Sequence, residues 1–221
     1  MNRLISEAQN AIVLGLRQDP NACITCSFQV EGMVTLLLIR DYYPAIPVLF
    51  LDTGYHFPQI YGYRDEMTAR YHLNVRNLLP AQTVAQQESQ FGILHQTQPD
   101  QCCQLRKVQP LFTALEDYGV WFTGLRRDQS ATRANLQVAD RFQLPSGKQL
   151  LKVSPLASWS SKDVWTFARE HDLPLLPLYE EGYTSIGCQP CTERPIDPAD
   201  PRSGRWSGRK VECGIHIAAA N

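Results

Sequence analysis

This sequence has no long apolar run, no internal repeat, no low-complexity segment and no glycine-rich phosphate loop, and each absence removes a class of protein. Without a stretch of about 18–20 apolar residues, no membrane-spanning helix is expected. The opening "MNRLISEAQNAIVLGLRQDP" has neither a long apolar core nor a cleavage signature, so a cytoplasmic protein is expected. Lys and Arg number 21 against 22 Asp and Glu, leaving a formal net charge of −1. That balance supplies no general attraction for nucleic acid or an anionic membrane, and neither is expected as a partner. Basic residues matter only where they cluster, at Arg126-Arg127-Arg133 and from Arg202 to Lys210. Seven cysteines, odd in number and unevenly placed, do not make a secreted disulfide scaffold. In a reducing compartment they point to metal binding, catalysis or simple burial.

What is present suits one domain plus a tail: 221 residues, 43% apolar and 10% aromatic. Short β-rich runs alternate with amphipathic stretches. "NACITCSF" reads as a strand ending near Ser27, followed by a helix through "EGMVTLLLIRDYY" that must stop before Pro44. "IPVLFLDTG" reads as a second buried strand, with "PQIYGYRDEMTARYH" as the helix after it; "NVRNLLP" and "VWFTGLRRDQS" are further strand candidates. "SSKDVWTFAREHDLP" carries Ser160 and Asp163 at capping-box spacing and Pro174 beyond its end. The alternation predicts an α/β fold, a Rossmann-like, mostly parallel sheet flanked by helices. In such sheets ligands sit beyond the carboxyl ends of the strands, where Ser27, Asp52-Thr53-Gly54 and Gly124 to Gln129 fall.

Two pairs of thiols stand out, Cys102-Cys103 in "QCCQLRK" and Cys188 with Cys191 in "IGCQPC". Four thiolates suffice for one metal site. Adjacent cysteines project in different directions, which makes two bonds to one small ion awkward. A cubane relieves that, because each thiolate can take its own iron, so a 4Fe-4S cluster is favoured and zinc is the alternative. Cys23 and Cys26 share the Cys-x-x-Cys spacing, but within a buried strand they read as small core hydrophobes. "TGLRRDQSATR" follows a strand directly, and its guanidinium forks suit phosphate or sulfate oxygens.

Cys213 has no partner. It lies in "RWSGRKVECGIH" among Arg205, Arg209, Lys210 and His216, and positive charge favours the thiolate that attacks. The segment from Cys191 onward is rich in proline and poor in aliphatic residues, so it has little with which to bury a structural cysteine. A nucleophile on a mobile tether fits better, able to visit a substrate and then a second protein.

Taken in order, "SFQVEGMV", "LDTGYHF", "CCQLRKVQPL", "TGLRRDQSATR", "SPLASWSSKDVW", "GYTSIGCQPCTERP", "RSGRW" and "ECGIH" resemble the assimilatory adenylyl-sulfate (APS) and phosphoadenylyl-sulfate (PAPS) reductase family, in its iron-sulfur-containing branch. The resemblance runs from about Ser27 to His216. It implies the adenine-nucleotide α-hydrolase type of sheet, with residues 1–195 as the nucleotide-binding domain carrying the iron-sulfur site and 196–221 as a mobile tail. It further implies thioredoxin-dependent reduction of adenylyl sulfate to sulfite and AMP through an S-sulfocysteine. Cys213 matches the nucleophile, and Cys102, Cys103, Cys188 and Cys191 match the ligands of one 4Fe-4S cluster. Lys107 matches a lysine between cluster and substrate. Arg126 or Arg127, Arg202 and Arg205 match arginines that hold the phosphosulfate, and Ser27 and Phe28 match the loop near the nucleotide.

Two positions depart from the family pattern: Gly32 stands where an Asp is common, and Gln59 where a Glu is usual. PAPS reduction or dual specificity is the alternative substrate reading. A nucleotide-dependent hydrolase or sulfurtransferase, or a zinc-binding module, would leave "ECGIH" without a task. Whether the chain forms a homo-oligomer, and which dithiol protein serves it, is open at this level.

Overall fold

The structure, a computed structural model, describes residues 1–197, 200–208, 210 and 212–216. Helix α1 (Asn2–Gln18) buries Ala8, Ala11, Ile12 and Gly15 along one stripe, the three-and-four spacing of a helix with one face in a core. It leads to β1 (Ala22–Thr25), α2 (Val30–Arg40), β2 (Pro47–Leu51), α3 (Pro58–Tyr71) and β3 (Asn74–Leu78). The helix expected to run through Tyr43 ends at Arg40. The amides of Tyr42 and Tyr43 both turn back to the Ile39 carbonyl at 2.9 Å, ahead of Pro44.

Four helices follow, α4 (Val84–Phe91), α5 (Leu94–Thr97), α6 (Pro99–Cys103) and α7 (Gln109–Leu115), the last two joined by a widened turn. Strands β4 (Val120–Phe122), β5 (Ala139–Gln143) and β6 (Gln149–Val153) and helix α8 (Ser161–Glu170) complete the domain. Ser160 and Asp163 form the expected capping box: the Ser160 hydroxyl accepts the Asp163 amide at 3.2 Å, and the Asp163 carboxylate accepts the Ser160 amide at 2.8 Å.

The strands form one six-stranded sheet in the order β3-β2-β1-β4-β6-β5, parallel throughout except for the edge strand β5. The chain builds outward from β1 through β2 to β3, then returns to the other side of β1 with β4. That reversal opens a crevice at the carboxyl ends of β1 and β4, where sheets of this kind bind ligands. Backbones come close there: a Cβ on Gly124, just after β4, would lie 3.0 Å from the Glu31 carbonyl oxygen of α2.

Both faces of the sheet are covered. On one side Ile24, Val48, Phe50 and Phe122 pack with Met33, Leu36, Ile60 and Phe167 of α2, α3 and α8. On the other Cys23, Leu49 and Trp121 pack with Leu111 and Leu115 of α7. Among the described residues no helix is long and apolar enough to cross a membrane.

Beyond residue 195 the described tail holds only a three-residue helical turn at Trp206–Gly208 and an isolated bridge from Arg205 back to Thr192. It still lies against the domain, with Trp206 buried and Ile215 packed on the α7 side of the sheet. Arg209, expected near Cys213, falls outside the described residues.

Candidate functional site

Cys102 and Cys103 close α6, and the next turn, Gln104–Val108, is π-helical: the Gln109 amide donates to the Gln104 carbonyl, five residues back. Pro110 gives the reason. It has no amide to donate to the Arg106 carbonyl, and in a regular helix its ring would strike that carbonyl, so the turn before it widens. Cys102, Cys103 and Lys107 thereby all line one cavity, together with Arg106, Tyr55, His95, Pro99 and Trp206. Arg106 is buried and holds the wall in place, donating to the Thr53 carbonyl and, at 3.0 Å, to the Gln87 side chain.

The second pair reaches the same cavity from the loop after α8. Cys188 lies 3.3 Å from the Thr53 hydroxyl, and the turn through Pro190 brings the Cys191 amide to the Cys188 carbonyl at 3.0 Å. The four thiols affect one another. Burial first, then the neighbouring thiolates of Cys103, Cys188 and Cys191, push Cys102 up to about 11. Burial likewise raises Cys103 and Cys191. Four thiols held in a low-dielectric pocket cannot all ionise without a compensating cation, and a metal centre supplies one. Among the described residues no three His, Cys, Asp or Glu side chains converge to hold a single metal ion. A cubane does not require such convergence, since each thiolate binds a separate iron.

Two cations face this pocket without a carboxylate partner among the described residues. Burial disfavours the Lys107 ammonium, yet the thiolates of Cys188, Cys103 and Cys213 outweigh it and raise its pKa. Arg205 is buried at 7% exposure, its Nε has no hydrogen-bond partner, and burial lowers its pKa against the opposing pull of Cys188 and Cys213. Its guanidinium lies over the Trp206 ring, 4.4 Å from the centroid, and fills the space beside Gly187, where a Cβ would stand 2.0 Å from Nη2. The charge of Cys213 also acts on Arg202. The structure therefore gathers Cys102, Cys103, Cys188, Cys191, Lys107, Arg202, Arg205 and Cys213 into one neighbourhood. Donor set, orphaned cations and burial all fit an anionic four-thiolate cluster.

The other expected contacts lie elsewhere or are already engaged. Arg126 is buried in ion pairs with Glu31, at 3.1 Å, and with Asp128. Arg127 donates its Nε to the Leu136 carbonyl at 2.8 Å. Ser27 is exposed at the carboxyl end of β1 and accepts from Gln29 at 3.0 Å. Phe28 sends its ring wholly into the core, against Phe50 at 5.7 Å, and its backbone, at a φ of 59°, donates its amide to the Cys26 sulfur at 3.3 Å. Cys23 and Cys26 are core residues, and burial pushes Cys26 up to about 12. A Cβ on Gly32 would stand 2.9 Å from the Cys26 sulfur, so glycine at this departure from the family pattern accommodates a cysteine in β1's exit.

Sequence reasoning did not single out Trp206, Tyr55, His95 or Arg106 as cavity walls. The signal for Trp206 was its place inside "RSGRW"; for Tyr55 it was "LDTGYHF".

A mostly parallel sheet covered on both faces, with its switch point between β1 and β4, defines the class as an α/β fold of the kind that binds ligands at its strand ends. The model of the phosphoadenosine phosphosulfate reductase domain matches residues 21–194, and the chain belongs to that family. It is 48% identical over 196 residues to an adenosine 5'-phosphosulfate reductase of Streptomyces coelicolor, covering 88% of this chain and 81% of that protein. It is 44% identical over 200 residues to the Mycobacterium tuberculosis protein of the same name, covering 88% and 78%. Among solved structures, a phosphoadenylyl-sulfate reductase from Candida auris in a phosphate complex superposes with a TM-score of 0.71 at 26% identity, covering 84% of this chain and 90% of that one. The FMN adenylyltransferase of Candida glabrata shares the fold at a TM-score of 0.68 and 16% identity, covering 88% and 65%.

Proposed function

We propose that the chain reduces adenylyl sulfate to sulfite and AMP, with Cys213 as nucleophile and a thioredoxin-type dithiol protein as reductant. The observation that carries this is the pocket of four thiols and Lys107, beside which the chain carries Cys213: a Cβ on the next residue, Gly214, would stand 3.5 Å from Val108 in the turn that holds Lys107. The relatives named for adenylyl sulfate are 44% and 48% identical, against 26% for the solved reductase named for the 3'-phosphorylated nucleotide, which favours adenylyl sulfate.

In the first half-reaction the Cys213 thiolate attacks the sulfate sulfur. The bond from that sulfur to the bridging oxygen breaks, and AMP leaves with the electron pair, giving an S-sulfocysteine. In the second, a thiolate of the reductant attacks the Cys213 sulfur and sulfite departs with the S–S bonding pair. The reductant's second thiol then resolves the mixed disulfide, so two electrons pass from the dithiol to sulfur. In this reading Lys107, Arg202 and Arg205 bind the phosphosulfate oxygens and offset charge developing on the leaving phosphate. For the second step Cys213 must become accessible to the reductant, which in this reading the tail segment that carries it allows.

Cys102, Cys103, Cys188 and Cys191 would hold one 4Fe-4S cluster. When bound, that group supplies a fixed negative centre that keeps Lys107 and Arg205 charged and oriented. We place the reaction in the reducing cytoplasm, where thiols such as Cys23, Cys26 and Cys213 persist unpaired.

The test is incubation of anaerobically purified protein with adenylyl sulfate and no reductant. A sulfonate on the Cys213 peptide with release of AMP is expected; absence of both from cluster-replete protein would overturn the reading. Gly187→Ala probes the cation separately. Its new methyl group evicts the Arg205 guanidinium, so kcat/KM is expected to fall roughly 10- to 100-fold, as for a lost hydrogen bond to a charged group. Iron content should hold. An unchanged kcat/KM would remove Arg205 from the site.

A further inference from the structure

In "TGLRRDQSATR" the most complete anion receptor is already filled, and its occupant is the tail's own carboxylate. Glu212 Oε1 accepts from Arg133 Nε at 2.8 Å, from the Thr132 hydroxyl at 3.1 Å and from the Ser130 hydroxyl at 3.3 Å. Its Oε2 accepts from Arg133 Nη2 at 2.7 Å, completing a fork-to-fork pair, and Arg202 stands 3.9 Å away. The pair is sheltered, with side-chain exposures of 12% for Arg133 and 15% for Glu212. Burial alone would raise the Glu212 pKa, but the hydrogen bonds and charge of Arg133 outweigh it and hold the carboxylate below its ordinary range.

On the far side of Cys213 a second anchor exists, of different chemistry. Gly214 turns the chain at a φ of 90°, Ile215 packs on the α7 face of the sheet, and the His216 ring stacks on Trp121 with centroids 5.5 Å apart. The His216 carbonyl accepts from Lys152 at 3.1 Å. Only Cys213 and Gly214 lie between the two anchors.

We propose that Glu212 is a positioning residue, a carboxylate latch on Arg133, Thr132 and Ser130 that aims the Cys213 thiol into the site. The His216 side, stacked and packed, is the fixed anchor, and the charged Glu212 side is the one that opens. This deepens the proposed function and rests on it for the role of Cys213. Two residues named in neither the cysteine nor the substrate set, Arg133 and Glu212, thus control how Cys213 is presented.

The experiment compares wild type, Glu212→Gln, Arg133→Met and the double variant in three assays. These are the alkylation rate of Cys213 by iodoacetamide, read on its peptide; the single-turnover rate of AMP release from adenylyl sulfate; and the Kd for AMP. Both single variants are expected to be alkylated roughly 10-fold faster or more, the scale of a lost charge-assisted contact. AMP release should slow by a similar factor with the AMP Kd unchanged, and the double variant should be no worse than either single one, as for partners in one interaction. Arg133→Met keeps the Glu212 charge, so acceleration in Glu212→Gln alone would be an electrostatic effect on the thiol and would overturn the latch. Alkylation at the wild-type rate in both would overturn it as well. Faster alkylation with unaltered AMP release would refute positioning. If wild type releases no AMP while both variants are alkylated faster, the latch stands and the assigned reaction falls.

Discussion

Cys213→Ser is expected to abolish sulfite release, with turnover falling by roughly a thousandfold or more, as when a covalent nucleophile is removed. The replacement is nearly isosteric. Cys213 is half-buried, contributes to neither hydrophobic cluster, and lies outside helices and strands, as do the described residues 212–216 around it. Folding stability should therefore stay within about 0.5 kcal/mol of the parent. A serine hydroxyl in the field of Lys107, Arg202 and Arg205 is still protonated at neutral pH, so the attacking anion is lost while the cations that bind the nucleotide remain. Parallel assays of sulfite, AMP binding and iron separate this from its rivals. A nucleotide-dependent hydrolase would keep its activity in the serine variant, and a metal-binding module would have none to lose. Sulfite release at a substantial fraction of the wild-type rate would show that another group attacks.

Cys188→Ser should have the second largest effect, on metal content and stability together. Cys188 is 8% exposed, lies against the Thr53 hydroxyl, and lines the cavity with Cys102, Cys103 and Cys191. With one of four thiolates gone, iron and acid-labile sulfide should drop from about four per chain to well below one. Lys107 and Arg205 would then face a pocket without its anionic centre, so the thermal midpoint should fall with the iron. Cys23→Ser is the control. That thiol is buried in β1, burial raises its pKa, and it packs in the core under α7 without lining the cavity, so its loss should cost stability and leave the metal unaltered. Wild-type protein carrying stoichiometric zinc and no iron would discard the cluster, and a Cys188→Ser variant with full iron would remove that ligand.

Much of the fold was legible because its signals are local. Pro44 bounded α2, Ser160 and Asp163 capped α8, and the buried runs of β1 and β2 ended at polar residues on the sheet's carboxyl edge. The β5–β6 hairpin was missed for an equally physical reason. In β5 only Phe142 is buried, so an edge strand reading "ADRFQ" shows almost no alternation. The π turn after Cys103 was also invisible, although Pro110 caused it, because proline marks where a helix must change without saying how. That one extra residue decides which side chains of 102–107 share a cavity.

The sequence by itself determined the order of β1 to β4 with α2, α3 and α8, the inventory of thiols and the basic run before Cys213, since propensity, capping and turn chemistry act over a few residues. Only the tertiary structure decided which charge meets which. Arg126, Arg127 and Arg133 lie within one short run and look alike as candidates for a substrate anion. In the fold the first is buried against Glu31 and Asp128, the second holds the Leu136 carbonyl, and the third grips Glu212. A guanidinium's partner is set by through-space distance and by the dielectric around the pair, which depend on how distant segments pack. For the same reason Cys102-Cys103 and Cys188 with Cys191 could be counted as four ligands from the sequence, but only the packing of the loop after α8 against the widened turn brings them to one cavity.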